Sequence, residues 1–300
     1  MAQPRHIPVL RDEVVQWLAV RKGQIVVDGT LGGGGHTRAL AQSVGTEGLV
    51  IALDRDPAAI ARAEQDLAGM PVKLVQASYR ELSEVLGEAG VQQVDGLVLD
   101  LGISSDQLAD TQRGFSFDSP GLLDLRFDPD CGRPAWQLLD KLPEKELANL
   151  IYRYGEERYS RRIARRIVQR RGEGSLRTAC ELAELVRGCV PRARRQGIDP
   201  ATRTFQALRI AVNEELQHLQ QGLQVFPDCL RPGGRTVVIS FHSLEDRLVK
   251  HAFRDDPRYE ALTKKPIRPT AEEVERNPRA RSAKLRAAAR TTTGSGMGDP

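Results

Sequence analysis

Three carboxylates close apolar runs in the first third of the chain: Asp28 ends Ile25–Asp28, Asp54 ends Leu49–Asp54, and Asp100 ends Leu97–Asp100. After the first comes Gly29-Thr30-Leu31-Gly32-Gly33-Gly34-Gly35-His36-Thr37, a glycine-rich turn leading into a helical pattern. Glycine lacks a Cβ and reaches positive φ cheaply, so such a turn lets backbone N–H groups approach a ligand at the positive end of the following helix. The chemistry this suits is the binding of a nucleotide-like molecule. Spacing narrows the choice. A dinucleotide G-x-G-x-x-G counted from Gly32 or Gly33 needs glycine where Thr37 or Arg38 stands, and counted from Gly29 it needs glycine at Leu31. A phosphate loop, G-x-x-x-x-G-K-[ST], needs lysine at Gly35. Asp54 follows the turn at about the interval at which a carboxylate meets ribose hydroxyls, and Tyr79, after a third apolar run, offers an aromatic face for an adenine ring.

Two further segments carry reactive side chains. Asp100-Leu101-Gly102-Ile103-Ser104-Ser105 follows the fourth run, and Ser240-Phe241-His242-Ser243-Leu244-Glu245-Asp246 follows a later one. A Ser/His/Asp triad can be drawn from them, but no G-x-S-x-G elbow presents a nucleophile, which argues against hydrolysis. An acidic strand end followed by a glycine turn resembles the S-adenosylmethionine site of Rossmann-like methyltransferases. A nicotinamide-dependent oxidoreductase would share the strands and Asp54 but not the glycine spacing. A noncatalytic RNA-binding protein is the other alternative.

These groups need a scaffold that brings strand ends together. The runs Ile25–Asp28, Leu49–Asp54, Val72–Ala77 and Leu97–Asp100 are rich in Val, Ile and Leu without polar alternation, and helical spacers separate them, as in Pro57–Leu67. That is the rhythm of a doubly wound parallel sheet buried on both faces, whose ligands lie at the carboxyl ends of the strands. Thr236–Ser240 reads as another buried strand after the turn Arg231-Pro232-Gly233-Gly234, and Lys284-Leu285-Arg286 as a last one. The expected organisation is a discontinuous sheet domain, residues 1–111 and 204–300, split by a helical subdomain, residues 112–203. Residues 294–300 read as a loose tail.

Charge separates the two parts. The chain of 300 residues has a net charge of +4, yet residues 151–210 hold fifteen arginines against six carboxylates, so the remainder is net acidic. A localised basic surface suggests a polyanionic partner, with nucleic acid foremost. Helical periodicity puts Tyr159, Ile163 and Ile167 on one face and Arg158, Arg161, Arg162 and Arg165 on the other, with Arg192, Arg194 and Arg195 as a second cluster. Cys131, Cys180, Cys189 and Cys229 form no C-x-x-C pair and lie near no histidine cluster, so no metal site is expected and the thiols should be buried or idle. No apolar stretch approaches a membrane span and the first residues lack a signal-peptide core, so a cytoplasmic protein is expected.

With the glycine turn, Asp54 and Asp100-Leu101-Gly102-Ile103-Ser104-Ser105 stand, in order, Arg113-Gly114-Phe115-Ser116-Phe117, Tyr154-Gly155-Glu156-Glu157-Arg158, Thr202-Arg203-Thr204-Phe205-Gln206-Ala207-Leu208-Arg209, Ser240 to Arg247, and Asn277-Pro278-Arg279-Ala280-Arg281-Ser282. Together they resemble the bacterial 16S ribosomal RNA cytosine-N4-methyltransferases of the RsmH (MraW) family, from His6 to about Thr291. The resemblance implies a class I, S-adenosylmethionine-dependent enzyme that methylates the exocyclic N4 of one cytosine in the decoding centre, at the P site. It places cofactor contacts at Gly34, Gly35, His36, Asp54, Tyr79, Asp100 and Gln107. Amino-methyltransferases often carry a D/N/S-P-P-Y motif after the fourth strand. Here Asp100 to Ser105 occupies that place without prolines or tyrosine, leaving Asp100, Ser104 and His242 as the candidate catalytic groups. The implied partner is 16S rRNA or the small subunit, through the arginine-rich insert.

Overall fold

A computed structural model describes residues 7–172, 174, 176–191 and 199–292. The chain forms two compact units, one of residues Met1–Ile103 with Leu216–Pro300 and one of Ser104–Glu215.

The first unit is built on seven strands: β1 (Ile25–Asp28), β2 (Leu49–Asp54), β3 (Val72–Gln76), β4 (Val94–Asp100), β5 (Leu230–Ser240), β6 (Tyr259–Ala261) and β7 (Lys284–Arg290). Their order is β3-β2-β1-β4-β5-β7-β6. The first five are parallel, and β7 runs antiparallel between β5 and β6. This is the expected Rossmann-like α/β sheet. Around it lie α1 (Arg11–Leu18), α2 (Gly35–Val44), α3 (Pro57–Asp66), α4 (Leu82–Glu88), α11 (Glu215–Cys229), α12 (Ser243–Asp255) and α13 (Ala271–Arg276).

Alternate residues of each central strand enter different cores. Val27, Leu97, Leu99 and Val238 join one with Leu82, Leu86, Leu219, Leu223 and Phe226 from α4 and α11. Val26, Val98, Val237 and Ile239 join the other with Val14, Leu18, Leu40 and Val44 from α1 and α2. A sheet covered on both faces tolerates no polar alternation, which is why the strands were legible as unbroken apolar runs. Strand order reverses between β1 and β4, where Asp28 is in register with Val98, so their carboxyl ends open a crevice at the switch point.

The second unit holds α5 (Ser105–Ala109), α6 (Ala135–Lys141), α7 (Glu144–Gly155), α8 (Ser160–Arg171), α9 (Ala179–Cys189) and α10 (Thr202–Asn213). Its limits are wider than the 112–203 read from the sequence. One reason is that α10 is stitched into it: Gln206 Nε2 donates to Tyr154 O at 2.9 Å, and Asn213 accepts from Phe127 N at 2.7 Å and donates to Leu125 O at 2.7 Å. The motifs around Tyr154 and Thr202 are therefore two sides of one helix crossing. Arg113 likewise donates to the carbonyls of Arg126 and Phe127, both at 2.7 Å.

Several expectations change. Strand β6 was not foreseen, being three residues at the sheet's edge, and β5 reaches back through the Pro-Gly-Gly turn to Leu230, with a register shift against β4 between Val94 and Gly96. Arg158 and Tyr159 lie in the turn before α8 rather than on its faces. Of the cysteines, Cys189 and Cys229 are buried, Cys180 is half-buried and Cys131 is exposed. The tail beyond residue 292 and the cluster Arg192, Arg194 and Arg195 lie outside the described residues. Among those described, no helix is long and apolar enough to cross a membrane.

The α7–α10 crossing generates a stability prediction. A Cβ at Gly155 would collide with the carbonyl oxygen of Arg203 and stand 3.3 Å from Ala207 Cβ. Backbone cannot yield as a side chain can, so Gly155→Ala should destabilise by about 2 kcal/mol or more, read as a lower denaturant midpoint.

Candidate active site

Asp28, at the end of β1, is fully buried and holds both ends of the glycine turn. Its Oδ1 accepts from Thr30 N at 3.1 Å and its Oδ2 from Thr37 Oγ1 at 2.7 Å. The turn is also hung between neighbouring strands: Gly29 N donates to Val98 O at 2.9 Å and Leu31 N to Leu53 O at 2.8 Å. Gly32 and Gly34 take φ of 50° and 72°, the left-handed conformation that favours glycine, and α2 begins directly afterwards. At Gly29 a side chain would strike Leu99, and at Gly35 a Cβ would lie 3.0 Å from Pro8. Two of the turn's glycines thus answer to close packing and two to backbone conformation.

Asp54 ties the turn to the adjoining corner. Its Oδ2 accepts from Gly32 N at 2.8 Å and its Oδ1 from Asp56 N at 2.9 Å, while Asp56 caps α3 through Ala58 N at 3.0 Å. Burial is the main influence on Asp54 and raises its pKa to about 6 against the two backbone bonds. Asp28 is also pushed up, chiefly by burial, with the charge of His36 and the Thr37 and Thr30 bonds opposing.

Asp100 ends β4, and its backbone N donates to Thr30 Oγ1 at 2.6 Å. Its Oδ2 lies 3.5 Å from Nε2 of His36, on the first turn of α2. That distance suits an ion pair, yet neither ring nitrogen of His36 has an aligned hydrogen-bond partner, and buried Oδ1 of Asp100 has none either. For His36, burial disfavours the imidazolium, but Asp100 and Asp28 together outweigh it and the pKa is raised. Orphaned polar atoms in a buried site are costly unless a ligand or water completes them. A ligand with a cationic centre and hydrogen-bonding groups would do so here.

Tyr79 opens a short 3-10 turn, Tyr79–Glu81, capped by Ser78, and meets Phe226 edge-on at 6.4 Å between ring centroids. His242 caps α12: its Nδ1 accepts from Glu245 N at 3.4 Å, and the buried Glu245 carboxylate accepts from Phe241 N at 2.9 Å. Since Asp100 pairs with Ile239, the segment holding His242 leaves the sheet on the same edge as Asp100. Ser104 and Gln107 belong to the second unit, where they cap α5 reciprocally at 3.0 and 3.1 Å.

Sequence reasoning missed several residues that hold this edge. Thr30 and Thr37 both donate to the Asp28 carboxylate, Thr30 Oγ1 also accepts from Asp100 N, and Arg279 donates to Ile103 O at 2.6 Å, steadying the loop after β4. Asp246 pairs with Arg286 at 2.7 Å and Lys284 at 3.2 Å, anchoring α12 to β7. No local pattern signals such partners, because they meet only once the chain has folded.

In the second unit, Arg161, Arg162, Arg165 and Arg166 are exposed along α8, and Arg165 lies 3.6 Å from Glu144. Arg162, Arg165 and Arg166 line a groove of about 430 Å³ together with Gln169 and the α9 residues Glu184, Leu185, Gly188 and Cys189.

The MraW methylase family model matches residues 3–291. The chain is 53% identical to the ribosomal RNA small subunit methyltransferase H of Rhodopirellula baltica over 96% of this chain and 92% of that one. It is 51% identical to the protein of that name from Sorangium cellulosum, over 95% and 91%, and 47% identical to that from Trichlorobacter lovleyi, over 96% and 99%.

The Asp28 clasp can be tested on stability alone. Thr37→Val keeps the shape and removes the hydroxyl donor to a buried carboxylate, so unfolding free energy should fall by about 1–3 kcal/mol at neutral pH. The hydroxyl favours ionised Asp28. The loss should therefore shrink as pH drops and the carboxylate protonates, a trend that denaturation at several pH values would reveal.

Proposed function

The chain belongs to the MraW methylase family, and from that premise we propose that it transfers a methyl group from S-adenosylmethionine to the exocyclic N4 of a cytosine in the decoding centre of 16S ribosomal RNA. The observation that carries this reading is the set of carboxylates at three adjoining strand ends, Asp28, Asp54 and Asp100, around a glycine turn with orphaned buried atoms on His36 and Asp100. An rRNA substrate assigns the activity to the cytoplasm.

The cofactor supplies an electrophilic methyl on a sulfonium centre. The residues for it in the first unit are Gly34, Gly35 and His36 in the turn, Asp54 for the ribose hydroxyls, Tyr79 for the adenine face, and Asp100, which sits between cofactor and base and either binds the methionine portion or accepts from N4. Asp54 keeps lone pairs beyond the two backbone bonds it accepts, and an ionised carboxylate can take several donors. Gln107 is assigned by family resemblance.

Cytosine N4 is a weak nucleophile because its lone pair is delocalised into the ring. Transfer needs an in-line approach and an acceptor for the amino proton as charge develops on nitrogen. In the second of its two roles Asp100 would accept through Oδ1, which is buried and unpartnered, and Ser104 and His242 are the secondary candidates. Both secondary candidates already serve as helix caps, with Ser104 Oγ accepting from Gln107 N and His242 Nδ1 from Glu245 N. The cytosine must leave its stack to reach a crevice at strand ends, which costs a few kcal/mol and is easiest in irregular RNA. The arginines of the insert, Arg158, Arg161, Arg162 and Arg165, would hold the surrounding phosphates.

Tritiated-methyl transfer from S-adenosylmethionine to small-subunit particles and to naked 16S rRNA, followed by nucleoside identification, tests the reading. N4-methylcytidine is expected, and its absence from both substrates would sink the proposal. Asp100→Asn should abolish transfer; retained cofactor affinity would make Asp100 the N4 acceptor, and lost affinity a cofactor ligand. For the insert, Arg161→Gln and Arg165→Gln should each reduce the slope of log affinity for RNA against log salt by about one. An unchanged slope would remove these two arginines from the interface.

A further inference from the structure

His218, on α11, is a buried titratable side chain that none of these steps uses; only 4% of its surface is exposed. Its Nδ1 lies 3.4 Å from Arg55 Nη1 and 3.3 Å from Ser78 Oγ. Both neighbours stand at strand ends, Arg55 directly after Asp54 and Ser78 directly before Tyr79. A guanidinium only donates, so the nitrogen facing it must carry the lone pair, which puts the ring hydrogen on Nε2 and makes the Ser78 hydroxyl a second donor. Burial, reinforced by the charges of Arg55 and Arg80 and weakly opposed by Glu81, lowers the pKa of His218 to about 4, so the ring is a neutral acceptor at physiological pH.

The same face of α11 continues toward Tyr79. One turn beyond His218, a Cβ at Gly222 would come within 3.0 Å of Tyr79 Cδ2, and one turn further Phe226 meets the Tyr79 ring edge-on. Helical spacing of four residues thus aligns a polar contact, a close backbone approach and an aromatic edge against the corners after β2 and β3.

We propose that His218 is a positioning residue for the adenosine end of the cofactor: its Nδ1 holds Arg55 and Ser78, and through them sets Asp54 and Tyr79 for ribose and adenine. The proposal rests on the S-adenosylmethionine reading. Without that acceptor the corner that carries Asp54 and Arg55 loses one of its fixed points, and the ribose carboxylate is less well set. The amino-acid end, which depends on His36 and Asp100, would be left unchanged.

The test is titration calorimetry on the full chain with S-adenosylhomocysteine and with 5′-methylthioadenosine, which keeps the adenosine and lacks the amino acid. His218→Leu removes the acceptor at similar volume; His218→Asn restores an acceptor oxygen at the δ position. Losing a bond to a charged donor predicts that His218→Leu weakens both ligands by a similar factor, about tenfold or more, with kcat at saturating cofactor retained. His218→Asn should stay within about threefold of wild type for both, on the premise that an acceptor at this position is what matters. Thermal unfolding of all three proteins separates a folding defect from a binding one. The proposal fails if His218→Leu binds both ligands like wild type, if the loss is confined to S-adenosylhomocysteine, or if His218→Asn loses as much as His218→Leu. Wild type binding neither ligand would overturn the cofactor reading itself.

Discussion

The site hangs on a single buried carboxylate. Asp28 cannot be hydrated, and it is retained at the end of a central strand because it gathers Thr30 N at one side of the glycine turn and Thr37 Oγ1 at the other. With those bonds the loop closes over the end of β1, α2 starts where its first turn brings His36 within 3.5 Å of Asp100, and Thr30 is free to accept from the backbone of Asp100. Each later contact presupposes the earlier one. An apolar residue at position 28 would pack comfortably among its neighbours and leave the loop without a fastener.

Three acidic strand ends so close together make an electrostatic liability, and the structure compensates them unequally. Asp28 is served by donors within the protein, and Asp54 by two backbone amides that leave it capacity for more. Asp100 and His36 face each other without completing their hydrogen bonds. Desolvation that would be pure cost in a structural protein is what a ligand bringing hydrogen-bond donors or positive charge to this edge would offset.

Much of this was legible in the chain because it is local. Strands buried on both faces must be unbroken apolar runs, and a turn that needs left-handed backbone must use glycine, so Ile25–Asp28 and Gly32–Gly35 declared themselves. What stayed hidden is contact between distant segments. His218 meets Ser78, and Arg279 meets the carbonyl of Ile103, with no periodicity linking either pair. The motif around Thr202 was visible as a motif, but its work, clamping α10 to the end of α7 and pairing Arg209 with Glu215 at 2.8 Å, reads as packing only in three dimensions. Edge strand β6 escaped because three residues carry too little pattern.

The second unit enters the chain between two strands that lie side by side: Val94 pairs with Leu230 and Asp100 with Ile239. A ribosome making this protein therefore releases β1 to β4 long before β5, and the apolar flank of β4 must wait, unpaired, while all of α5 to α10 is synthesised. Open strand edges of this kind invite pairing with other chains, and sheets closed by distant segments form slowly. The insert's described helices, by contrast, contact one another within a continuous stretch of chain and can fold during the delay. The crevice that would hold the methyl donor is thus among the last features to exist, completed when the C-terminal third arrives to close the sheet around it.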